Sequence, residues 1–102
     1  SGRITGFNST EQKIHDGVAK WFKARSENPA MWRGTVDRKK VSNNTEVITK
    51  TDAQTGNKII AIFSSENTTV SIGGTGEDII NGGTVSGSVN VSSWVPALIR
   101  MN

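Results

Sequence analysis

The group with the most chemistry to offer is His15, the single histidine of the 102-residue chain. Imidazole is the side chain whose ordinary pKa lies nearest neutrality, so it can both take and return a proton. Cleaving an RNA phosphodiester needs a base for the 2′-hydroxyl, an acid for the leaving oxygen and cations for the charge on phosphorus-bound oxygens. His15 with Lys13 and Arg33 could supply that set, and these three are the candidate catalytic residues. Further along, Trp32 and Arg33 precede Arg38, Lys39 and Lys40. An indole flanked by cations suits single-stranded nucleic acid, with a base stacked on the ring and phosphates on the charges. Lys20, Lys23, Trp32, Arg38 and Lys39 are therefore read as nucleic-acid-binding, together with the hydroxyls of Thr68 and Ser71. Each has a plainer reading: a helical histidine that is structural, a core tryptophan, a solvated charged face, and an ordinary Thr/Ser-rich strand.

Other chemistries are excluded or weakened by composition. With no cysteine there is no disulfide and no thiolate metal site, and one histidine rules out the usual His-rich zinc site. A reaction free of metal and cofactor is expected. Gly73-Gly74-Thr75-Gly76 invites a phosphate-loop reading, but the Lys-Ser/Thr that such a loop needs does not follow, and the segment reads as a turn. The stretch from Gly73 to Gly83 is also too short to stack as calcium-binding repeats.

Asn8-Ser9-Thr10, with Gln12 three residues after Ser9, is a helix-start signal. Ile14, Val18, Trp21 and Phe22 then recur at helical spacing and form one apolar stripe. Gly17 weakens this helix by about 1 kcal/mol relative to alanine, so packing must hold it. Asn28-Pro29 predicts an end near Ser26, and Ala30-Met31-Trp32 a short turn or second helix docked on the core. From Thr45 the pattern becomes β-branched. Thr45–Thr51, Lys58–Ser64 and Thr68–Ile72 predict a three-strand meander, joined through loops at 52–57 and 65–67. Val85, Val89, Val91 and Val95 lie on one face of a further C-terminal strand, which Pro96 confines to an edge or an end.

The length fits one domain. The fold class expected is α+β: a basic helical part over residues 1–40 followed by a small antiparallel β-sheet over 41–102. The first part carries nine Lys/Arg against four Asp/Glu, the second three against five, within an overall charge of +3. Positive charge concentrated at one end suits a polyanion, or a solvated helix face. No stretch approaches the roughly 20 apolar residues of a spanning helix, no signal peptide opens the chain, and Ser1-Gly2 reads as an excision point from a longer protein.

Gly2-Arg3-Ile4-Thr5-Gly6-Phe7 followed by Glu11-Gln12-Lys13-Ile14 resembles the C-terminal toxin tips of bacterial contact-dependent inhibition and other polymorphic toxin systems. It is also similar to the anticodon-cleaving colicins within a barnase-like RNase group. The resemblance implies helices before an antiparallel sheet, RNA (tRNA among the candidates) as substrate, and a cognate immunity protein as partner. It also implies secretion or cell-surface delivery to the cytoplasm of a target cell, with His15 as general acid/base. The specific match is about ten residues, and residues 73–102 have no counterpart in it. Two other functions fit the residues: a non-enzymatic structural or interaction module, such as a phage-particle or adhesin fragment, and a nucleic-acid-binding domain without catalysis.

Overall fold

A computed structural model describes residues 9–102. Helix α1 spans Ser9–Glu27 and α2 spans Ala30–Arg33; strands follow at β1 (Thr35–Ser42), β2 (Thr45–Thr51), β3 (Lys58–Ser64), β4 (Thr68–Asp78), β5 (Thr84–Val91) and β6 (Ala97–Met101). The fold is α+β, as expected, with helix preceding an antiparallel sheet. Residues 1–8, which hold the first part of the toxin-like segment and the Asn8 of the helix-start signal, lie outside the described residues.

Helix α1 ends where the proline requires, and buried Asn28 secures the exit. Its amide nitrogen donates to the Ala24 carbonyl (2.9 Å), and its oxygen accepts from the Asn57 amide (3.0 Å). Asn57 in turn accepts from the Ala30 N–H (3.0 Å). One amide pair thus ties the α1–α2 joint to the β2–β3 loop and satisfies polar groups that burial would otherwise penalise.

The sheet order is β1-β2-β3-β6-β4-β5, every pairing antiparallel. Three expectations are corrected by it. The basic part is not helical to residue 40, because Thr35–Ser42 is edge strand β1. Its Asp37-Arg38-Lys39-Lys40 run gives no apolar alternation, since neither of its faces is covered, and charges of this kind discourage a second sheet from adding to the edge. The three predicted strands are not a meander, because β6 separates β3 from β4 and pairs with both (Ile60 opposite Ile99, Glu77 opposite Arg100). Turn residues at 65–67 announce a reversal without specifying which edge the returning strand joins. Finally, Gly73–Gly76 is not a turn between strands. It lies inside β4, where the register with β5 slips between Ser71 and Thr75. Gly73 has φ +69° there, and a bulge of this kind bends its strand.

Period-2 alternation then sorts the core onto two faces. One holds Ile60, Ile62, Val70, Ile72, Val89, Val91 and Ile99; the other holds Ile59, Ala61 and Leu98 beneath Ala30 of α2. Strand β3 is buried on both sides over Ile59–Ile62, hence its unbroken apolar run. The α1 stripe, expected to pack, instead faces solvent: Ile14 and Phe22 are each 63% exposed, and Val18 and Trp21 are exposed as well.

Candidate functional site

The residues proposed from sequence fall into separate groups. His15 lies on the exposed part of α1, with Nδ1 3.7 Å from the Asp16 carboxylate. Lys13 and Lys20 are exposed on the same helix. Lys23 shares a shallow depression with Phe22, Arg25 and Trp32. Trp32 is half exposed and carries the Arg33 guanidinium 5.1 Å from its ring centroid, a cation–π distance. Arg38 reaches across to Glu46 of β2 (2.8 Å). Lys39 lines a groove with Thr68 and Ser71. The structure therefore joins Trp32 with Lys23 and Arg33, and joins Lys39 with Thr68 and Ser71.

Arg33 is engaged with Asp52. Its Nε and Nη2 meet the two carboxylate oxygens at 3.1 and 2.8 Å, and Thr55 Oγ1 donates to the same carboxylate at 2.6 Å. Asp52 is buried in the β2–β3 loop, and its backbone closes that loop with Gly56 and Asn57. The hydrogen bonds from Arg33 first, then Thr55, hold the Asp52 carboxyl down at about 2, against the pull of burial. The same bond pushes the Arg33 pKa upward. A fork-to-fork pair of this kind fixes α2 on the hairpin. It is a structural clamp that sequence spacing could not reveal, since its partners are 19 residues apart.

Two surfaces stand out that the sequence reading did not assign. The first is largely apolar: the α1 stripe continues, through Trp21, into a groove on the outer sheet face lined by Met31, Val36, Ile48, Phe63 and Leu98, with Arg38 and Lys50 at it. The second is a cleft between the β1–β2 turn and the loop before β6, lined by Asn43, Asn44, Phe63, Ser64, Ser65, Trp94 and Pro96. No group of three or more His, Asp or Glu side chains placed to hold a metal ion occurs among the described residues. No helix among them is long and apolar enough to cross a membrane.

The architecture defines a class before it suggests a protein: a helix leading into a curled six-stranded antiparallel sheet whose last strand is central. No protein-family model matches the chain, and no curated protein matches it. Among solved structures, the fold is similar to part of an AmyP variant crystallised in complex with maltotriose, with a TM-score of 0.80 over 93% of this chain at 15% identity. The chain spans 22% of that protein's length. At this identity the likeness establishes the fold alone.

Proposed function

We propose that this chain is a non-catalytic β-domain, one unit of a larger α-glucan-handling enzyme of amylase type, docked on the rest of that enzyme through α1 and the outer sheet face. The observation that carries the reading is the bare apolar stripe of α1. Burying a side chain of this size is worth about 1.5–3 kcal/mol, and four of them in one row, leading into a largely apolar groove, are the mark of an interface. The sheet meanwhile has its own core, so the domain is complete except on that side. The reading also draws on the similar fold, which is part of a larger protein crystallised with maltotriose.

The ribonuclease reading needs an imidazole and cations around one phosphate. Arg33 is occupied by Asp52, and His15 and Lys13 are exposed on α1.

Hydrogen exchange on the isolated chain, with activity assays on total RNA and soluble starch, tests the proposal. Residues 9–20 of α1 should exchange with little protection while β3 and β6 stay protected, and neither polymer should be cut. A monomer with α1 as protected as the sheet would defeat the docking claim. Discrete RNA cleavage abolished by His15→Ala would replace the proposal with a ribonuclease.

A further inference from the structure

The Ser92–Val95 turn presents a tryptophan where local preference asks for glycine or asparagine. The Val95 N–H donates to the Ser92 carbonyl (3.0 Å), placing Trp94 third in a four-residue turn with φ +62°. Among the described residues, no other non-glycine residue has positive φ. Such a conformation persists only where the surroundings enforce it, and it directs attention to what the side chain does. The surroundings here are firm. The Trp94 N–H donates to the Ser64 carbonyl (2.8 Å), the Ser93 N–H to the Asn67 side chain (2.9 Å) and the Ser93 hydroxyl to the Ser65 carbonyl (2.8 Å). The loop is thus pinned to the β3–β4 turn, yet the indole it carries is 81% exposed. A rigid backbone holding a large ring in water is a platform.

The cleft beside that ring has a particular chemistry. Two rings, from Trp94 and Phe63, stand with the Asn43 and Asn44 side chains and the Ser65 hydroxyl, and no charged residue lines it. Asn44 is oriented by a bond from its amide nitrogen to Glu66 (3.2 Å), which turns its nitrogen outward toward that carboxylate. The cleft lining holds no cation for a phosphate polymer, and the group that Asn44 bonds is a carboxylate. A purely apolar partner would leave the carboxamides without bonds. What matches is a neutral polyol with one apolar face. The C–H bonds on one face of a pyranose are complementary to the electron-rich face of an indole, while its hydroxyls pair with amide donors and acceptors.

We propose that this cleft is a carbohydrate subsite, binding one pyranose unit of a neutral oligosaccharide stacked on Trp94 and hydrogen-bonded to Asn43, Asn44 and Ser65. Only the choice of an α-glucan as first ligand rests on the proposed function; the site itself rests on the turn and the cleft lining.

The test titrates the chain with maltoheptaose and, in parallel, with cellohexaose, xylohexaose and a single-stranded RNA oligonucleotide. The indole N–H resonances of the three tryptophans are followed by NMR. Maltoheptaose should move one indole resonance saturably, in the weak range of about 0.1–1 mM typical of small contacts. That resonance should be the one missing from Trp94→Gly. Glycine accepts positive φ without strain, so this variant should melt at the same temperature or higher while losing at least tenfold in binding. Trp94→Asn, which tolerates the same turn, gives the same readout should the glycine variant not fold. Asn43→Ala should weaken binding severalfold.

Binding to cellohexaose or xylohexaose instead, lost with Trp94, supports the subsite and counts against the α-glucan reading alone. No shift with any saccharide, binding that survives in both Trp94 variants, or a response to the RNA alone overturns the subsite.

Discussion

At the scale of single residues, Arg33 illustrates how a cation chosen for catalysis can be spent on architecture. Its guanidinium holds the buried Asp52 carboxylate and lies beside the Trp32 ring. Because the Asp52 pKa is depressed in the fold, from an ordinary 3.8 to about 2, the pair stabilises the protein fully above the higher value. That contribution is lost as pH falls toward the lower one. Asp52→Asn should therefore lower the melting temperature at neutral pH and flatten its decline through that window, measured by circular dichroism melts at a series of pH values against the parent chain. Arg33→Ala should lower stability at neutral pH as well, since it strands a nearly buried charge. Nothing in the sequence paired these two residues, because an ion pair between distant positions has no periodicity. His15 was legible as a titratable group on a helix, and the structure leaves it on the exposed part of α1.

At the scale of elements, the signals that proved readable were local ones. The α1 boundary follows from Asn28-Pro29, the short α2 from the residues after it, and β2 and β3 from β-branched runs bounded by turn residues. The signals that failed were long-range. Strand β1 has charges where a buried strand would show alternation. Strand β6 is five residues long and buries Leu98 on one face and Ile99 on the other, too brief a run to declare itself. The groove beside Trp21 is built from residues of α1, α2 and four strands, and no window of sequence contains it. Two predictions belong at this scale. A Cβ at Gly76 would lie 2.7 Å from both the Arg100 carbonyl oxygen and Ile99 Cγ2, so Gly76→Ala should force β4 and β6 apart. The cost expected is about 1–3 kcal/mol, the usual range for overpacking, read from urea denaturation. By contrast Val18→Ser with Phe22→Ser, on the exposed stripe, should change the stability of the isolated chain by no more than about 0.5 kcal/mol. The same pair should reduce concentration-dependent association in sedimentation velocity. A large loss of stability would mean that the stripe packs within the chain after all.

At the scale of the whole molecule, the two faces of the core meet along β3 and β6. Ile99 is fully buried between Ile60 and the strands β4 and β5, and Ile99→Ala should cost about 2–5 kcal/mol in chemical denaturation, a large part of what a domain of this size holds. The central place of β6 also governs the order of assembly. Before residues 97–101 exist, the chain owns a β1–β2–β3 ribbon and a β4–β5 hairpin, with the β3 and β4 edges raw and no strand to zip them together. On a ribosome, the edge groups of Ile59–Ile62 and Gly76–Asp78 wait for residues 97–101 to clear the exit tunnel. A message broken shortly before Ala97 would release a chain with both edges open, which is an invitation to proteases. Placing β6 in the middle thus leaves the sheet unsealed until residues 97–101 are made, and deletion of residues 97–102 should leave a protein that is degraded in cells rather than a slightly smaller domain.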